Sequence, residues 1–308
     1  MKINKLSSLS LLLLLGFIWG TGYSIARFAM TNGVPPLGYS FWQSLGPAIL
    51  IGLLAFKSKP NLQQLSVSHL RYYLICGLTG IVIPNTNMYF AAPHLPAGLL
   101  AVIVNTVPII AYPLALFARV ESFSWTRFFG VIFALCGLML IILPKTSLPS
   151  VTMIPWALAV LLTPLSFAFC SVYIARFRPA NSNSITIAAG TLIFSSLLLL
   201  PLVLFNHSFY LLHFPLTTPD KVIVLEIILS SLGYIIFFQL IKIAGPVYYS
   251  LVDTVVSLTG LMWGYMIFHE KLNQWTGAAV LLILCALLLV TKRQADIQKK
   301  LSTLPAEA

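Results

Sequence analysis

The sequence predicts an all-α integral membrane protein, with ten transmembrane helices arranged as two inverted five-helix repeats around a central cavity. Three observations predict it. The 308-residue chain is 59% hydrophobic and only 8% charged, against about 25% charged in a soluble domain. Its apolar residues fall into runs long enough to cross a bilayer. Short motifs in the first half recur in the second at a nearly constant offset.

The runs lie at about 8–28, 36–56, 71–92, 97–118, 125–143, 151–174, 184–205, 221–243, 247–268 and 274–292. Each suffices for a hydrocarbon core of roughly 30 Å at about 1.5 Å per residue. Backbone groups in lipid must be paired internally, and the alternation of a barrel strand is missing, so helices are expected. Breaks fall where turn residues gather: Asn32-Gly33-Val34-Pro35-Pro36, Lys57–Asn61, His94-Leu95-Pro96 and Arg176–Asn183. The longest link, Asn206–Lys221, carries Pro215 and Pro219. The N-terminus resembles a signal peptide, but no Ala-x-Ala site follows, so an uncleaved first span is expected.

The net charge of +11 reads as orientation rather than nucleic-acid binding, because no basic cluster is interleaved with aromatics. With the N-terminus inside, every lysine and arginine except Arg27, Lys145, Lys221 and Lys271 falls on the cytoplasmic side. An inner-membrane protein with both termini cytoplasmic is expected. The cysteines Cys76, Cys136, Cys170 and Cys285 sit in apolar runs, with no C-x-x-C and no histidine at metal-ligand spacing. No metal site and no cofactor are expected.

Ile25-Ala26-Arg27-Phe28 meets Ile174-Ala175-Arg176-Phe177 at an offset of 149, as Glu121 meets Glu270 and Leu135-Cys136 meets Leu284-Cys285. Val104-Asn105-Thr106-Val107 meets Val252-Asp253-Thr254-Val255 at 148. The expected units are residues 1–146 and 147–292, with a polar tail, 293–308, that is frayed or a surface helix. Five spans per unit make the second enter the membrane from the opposite side.

Trp19-Gly20-Thr21-Gly22, Glu121 with Gly130, Pro96-Ala97-Gly98, Gly245-Pro246 and Phe268-His269-Glu270-Lys271-Leu272 with Gly277 recur in order. In these features the chain resembles the drug/metabolite transporter superfamily, in its ten-helix EamA-like branch. The resemblance covers about residues 10–292 and implies a helical basket around a cavity that passes a small metabolite. Family members often carry a proline in the middle of both the fourth and ninth spans. Pro108 supplies the first, whereas Val256-Ser257 stands at the second, where Gly260 is the candidate for a kink.

Asp253 is the leading site candidate. An ionised carboxylate inside a span costs about 2.5–3.5 kcal/mol on insertion scales and needs a wet cavity or a partner. It suits a cationic or amino-bearing solute, a proton, or a structural hydrogen bond. Asn105, its equivalent, suits a zwitterion or sugar, or serves as interhelical glue. Glu226 and Arg27 are coupling candidates, either paired with each other or reaching the interface. Asn85 and Asn87 follow Pro84 in the third span, and Tyr234 and Gln239 lie in the eighth. With Ser257, these are expected to line the path. Trp19, Tyr23 and Trp263 are an aromatic lining or interface anchors. Glu121 and Glu270 read as caps of the helices that follow them. Gly16, Gly20 and Gly22 mark a face for close helix approach.

The reading is a secondary carrier with a small-molecule substrate and lipid around it, as a monomer or homodimer, and not an enzyme. G-x-x-x-x-G-K-[ST] is absent, which argues against ATP drive within this chain. The rival readings are a lipid-modifying membrane enzyme, which needs clustered acid, base or metal groups, and a passive facilitator or scramblase.

Overall fold

A computed structural model describes residues 5–57, 66–119, 122–142, 150–179, 184–249, 252–271 and 273–302. Among these, the regular structure is helical. In order come α1 (Lys5–Thr31), α2 (Pro36–Lys57), α3 (Val67–Gly77), α4 (Ile83–Ala91), α5 (Ala97–Val104), α6 (Val107–Phe117) and α7 (Trp125–Ile142). The second half gives α8 (Ile154–Val160), α9 (Leu162–Phe177), α10 (Ser184–Phe205), α11 (Thr218–Tyr249), α12 (Val252–Phe268) and α13 (Gln274–Ser302).

Among the described residues, six segments are long and apolar enough to cross a membrane: Ser8–Thr31, Pro36–Leu54, Val67–Ala91, Ala97–Phe117, Val151–Phe177 and Ile185–Phe205. Trp125–Leu140, Val252–Phe268 and Gln274–Leu289 are shorter apolar helices. Large apolar side chains such as Leu53, Phe117, Leu197 and Leu281 stand exposed along them. In water such a surface drives association; in lipid it meets its own solvent.

The third segment joins α3 to α4 through a π-helical turn, Leu78–Val82. The cause is Pro84. In the π register Ile83 N–H reaches back to the Leu78 carbonyl, and the next donor, due to pair with Thr79, falls on a proline that has none. The orphaned Thr79 carbonyl accepts instead from Ser166 Oγ of α9 at 2.7 Å. Thr163 Oγ1, one turn earlier on α9, donates to the Pro84 carbonyl at 3.0 Å. A local backbone defect thus becomes a bond between segments.

Packing follows a regular scheme. The main pairs are α7 with α13, α2 with α10, α1 with α12, α1 with α11, α5 with α12, α6 with α9, α2 with α11, α3 with α10 and α4 with α9. Every residue of α5 from Ala97 to Val104 is buried, as suits a helix apolar all round. The approach of α1 to α12 depends on glycine: a Cβ on Gly20 would stand 2.0 Å from Thr259 Oγ1, and one on Gly16 2.4 Å from Val255 Cγ1.

Two expectations are corrected. The fourth segment is not one helix, because it breaks at Asn105-Thr106. The Gly245-Pro246 turn is not a helix boundary, because α11 runs on to Tyr249 and α12 opens at Val252. Gly260 lies within α12 and packs closely on α5: a Cβ there would stand 2.4 Å from that of Ala101. The expected cap residue Glu121 lies outside the described residues.

Candidate functional site

The break in the fourth segment positions the first group. Asn105 (φ −79°, ψ 11°) and Thr106 (φ −75°, ψ 5°) leave the helical region. Pro108 then withholds the N–H that the Val104 carbonyl would otherwise receive. Side chains hold the break together. Thr106 Oγ1 donates to the Ile103 carbonyl at 2.7 Å, and Asn105 Nδ2 to the Ala101 carbonyl at 2.7 Å. The second Asn105 amide hydrogen goes to Tyr23 Oη on α1 at 3.1 Å. Both protons of a buried amide are thereby used.

Asp253 lies in the first turn of α12, which opens at Val252 rather than at Val247. Helix N-termini favour negative charge, which accounts for a half-buried carboxylate there. Tyr23, hydrogen-bonded to Asn105, also lies within electrostatic range of Asp253. The amide and the carboxylate hold equivalent positions in the sequence, each beside a helix end. Ser257 is fully buried, and its hydroxyl is spent on the Asp253 carbonyl at 2.9 Å.

A second group surrounds Glu226 of α11, which is 8% exposed. Ser230 Oγ, one turn on, lies 3.1 Å from Glu226 Oε1 and 3.0 Å from Gln43 Oε1 on α2. Glu226 Oε2 is out of reach of solvent and has no hydrogen-bond partner. The hydroxyl of Tyr39 is in the same condition. Tyr39 and Tyr89 stand edge to face at 4.8 Å, and both feel the Glu226 charge. Tyr89 also interacts with Tyr23 and Tyr234, which joins the two groups into one polar interior.

Arg27 is not paired with Glu226. It forms an ion pair with Glu270 and lies over the Phe268 ring at 4.5 Å. Nor does Glu270 cap the helix that follows it, since Asn273 Oδ1 accepts from Thr276 N–H there at 2.8 Å. Glu270 instead accepts from the N–H groups of Ala97 at 2.6 Å and Gly98 at 3.0 Å, and so caps α5.

The family profile described as the EamA-like transporter family matches residues 6–143 and again residues 154–292. The chain belongs to the EamA-like transporter family. It is accordingly a multi-pass membrane protein of a transporter family. Protein PecM of Dickeya dadantii (strain 3937) is 26% identical to this EamA-like chain over 278 residues, which are 89% of this chain and 88% of PecM. A protein solved by crystallography superposes with a TM-score of 0.61 at 14% identity, covering 96% of this chain and 100% of that one. That likeness is one of fold.

The remaining candidates of this EamA-like transporter are spread more widely. Trp19 meets Tyr234 at 6.3 Å and Phe237 at 5.9 Å, at the edge of the polar interior. Trp263 meets Phe17, an exposed residue, at 5.2 Å with the rings tilted, along the α1–α12 seam. Asn87 Nδ2 donates to the Ala159 carbonyl and to Thr163 Oγ1, both at 2.9 Å, so it ties α4 to α8 and α9. Asn85 is half-buried on α4. The Gln239 side chain lies outside the described residues. Sequence reasoning passed over Gln43, Ser230, Tyr39 and Tyr89. Gln43 carried a usable signal, as an amide in the middle of an apolar run.

Two open grooves are apolar and lie elsewhere. One runs between α2 and α10 along Phe41, Ala48, Ile49 and Leu197; the other runs between α6 and α9 along Phe117 and Phe169. Both are lined chiefly by apolar side chains, with Ser196 in the first and Arg176 in the second.

Proposed function

We propose that this EamA-like transporter is a secondary active carrier. It moves a small polar or amphipathic metabolite across the inner membrane by alternating access between two inverted five-helix halves, residues 1–146 and 147–292. Both termini are cytoplasmic in this reading, Asp253 and Glu226 take part in coupling to protons, and Arg27 acts through Glu270 in closing one end of the path.

The observation that carries the reading is that Asn105 and Asp253, equivalent in the sequence, each stand at a helix break, with Tyr23 hydrogen-bonded to the first and within electrostatic range of the second. Transporters place their sites where membrane helices are discontinuous and backbone groups are left for solute or ion. Here an amide closes α5 and a carboxylate opens α12. The packing scheme supports two equivalent halves. Exchanging α1 with α9, α2 with α10, α4 with α11, α5 and α6 with α12, and α7 with α13 maps α1–α12 onto α9–α6 and α1–α11 onto α9–α4. The same exchange maps α2–α10, α5–α12 and α7–α13 onto themselves.

Counterflow in proteoliposomes tests the carrier. Solute on the far side is expected to speed entry of labelled solute, and a channel or an enzyme gives no such stimulation. Asp253→Asn is expected to reach the membrane folded and to change transport or its pH dependence. Identical transport at every pH removes Asp253 from the mechanism.

A further inference from the structure

The cluster around Glu226 keeps unmet oxygens. Glu226 Oε2 and Tyr39 Oη are buried without partners, and Ser230 has a single hydrogen to share between Glu226 Oε1 and Gln43 Oε1. Tyr39 and Gln43 lie one turn apart on α2 and so share a face of that helix. A buried carboxylate with an unmet oxygen in a membrane interior is expensive unless something positive comes to it.

The cluster is walled by α1, α2, α4 and α11. On α1, Arg27 is committed to Glu270 rather than to Glu226. Gly22 on the same helix lets Glu226 approach closely, since a Cβ there would stand 3.1 Å from Glu226 Oε1. Tyr39 and Tyr89 pack edge to face nearby, and aromatic rings attract organic cations.

We propose that Glu226, Gln43 and Tyr39 form a subsite for a primary ammonium group, and that the solute carried is a small organic amine with an apolar or aromatic body. The proposal rests on the carrier reading above. A primary ammonium has three donors and no acceptor, which matches these three oxygens. A quaternary ammonium has the charge without the donors, and a neutral alcohol of the same shape has neither.

Thermal stabilisation of the purified full-length protein by phenethylammonium, phenethyl alcohol and phenethyltrimethylammonium tests this directly. Phenethylammonium is expected to raise the midpoint with at least about tenfold greater apparent affinity than either analogue, as for sites that hydrogen-bond an N–H. Glu226→Gln is expected to weaken it by about tenfold or more, and Tyr39→Phe, which keeps the ring, by a few fold. Should Glu226→Gln fail to fold, Gly22→Ala crowds the same oxygen from the neighbouring helix and is expected to lower amine affinity alone. Equal stabilisation by the alcohol overturns the subsite and leaves Glu226 a proton site. So does stabilisation unchanged in the folded variants, or none up to about 10 mM, the weak limit of specific affinity. Amine binding at Glu226 without counterflow of any solute keeps the subsite and overturns the carrier. Counterflow of a neutral solute without amine binding overturns the subsite alone.

Discussion

Glu270 and Arg27 stand 243 residues apart in sequence and form a partly buried ion pair. The same carboxylate accepts the first free N–H groups of α5. One side chain from the end of α12 therefore gathers α1 and α5. Gly264 makes the approach possible, because a Cβ there would stand 2.3 Å from Glu270 Oε2.

Replacing Glu270 with alanine leaves a guanidinium and two amide donors without an acceptor in a water-poor place. The expected loss is about 3 kcal/mol, within the range for breaking a desolvated pair. Reversible unfolding in mixed micelles measures it. Glu270→Gln, which keeps an acceptor, is expected to lose less. In a double-mutant cycle with Arg27→Leu the coupling should exceed about 1 kcal/mol; a coupling near zero dissolves the clasp.

Gly20 lies where α1 meets Thr259, whose Oγ1 donates to the Gly16 carbonyl at 2.9 Å. Gly20→Ala must push the helices apart or turn Thr259 away. A cost of about 1–3 kcal/mol is expected from overpacking, together with slower exchange across the membrane. Gly277→Ala meets nothing within 4 Å, so its thermal midpoint is expected to match that of the parent chain.

Ser166 and Thr163 hold the carbonyls that Pro84 disturbs. Ser166→Ala and Thr163→Val should each cost about 1 kcal/mol, the scale of side-chain hydrogen bonds between membrane helices. Thr163→Val should cost the more of the two, since Asn87 Nδ2 also loses a partner. Equal thermal midpoints for both variants and the parent chain show that the backbone heals by itself.

Asp220, ahead of the apolar part of α11, is fully buried. Burial favours its neutral form, but the Thr217 hydroxyl at 2.5 Å and the Thr217 N–H at 2.8 Å outweigh this and hold the carboxyl below the ordinary 3.8. His213 adds a contact at 3.4 Å. A depressed folded value gives stability that is complete above the unfolded value and lost as pH falls through the folded one. The difference in thermal midpoint between the parent and Asp220→Asn should thus stay constant above about pH 5 and shrink on acidification below about pH 4. A difference that grows toward low pH contradicts the assignment.

Much of this was legible along the chain. Apolar runs of bilayer length place nearly every helix, because in lipid a segment must satisfy its own backbone whatever its neighbours do. The 148-residue offset marks Asn105 and Asp253 as equivalents, and both stand at helix breaks. The α11–α12 boundary was misplaced because Gly245-Pro246 reads as a turn, and a proline inside a membrane helix is tolerated more readily than in water.

The amino-acid order alone determined the solvent, the helical class, the repeat and the family, since each depends on local composition and spacing. Partnership was decided only by the tertiary structure. Arg27 went to Glu270 rather than Glu226, Glu270 capped α5 rather than α13, and Glu226 gathered Gln43 and Tyr39 from α2. The physical reason is that an apolar helix can present any face to lipid at similar cost. Which polar side chains turn inward together is therefore fixed by the packing of neighbouring helices, and a linear sequence does not record that.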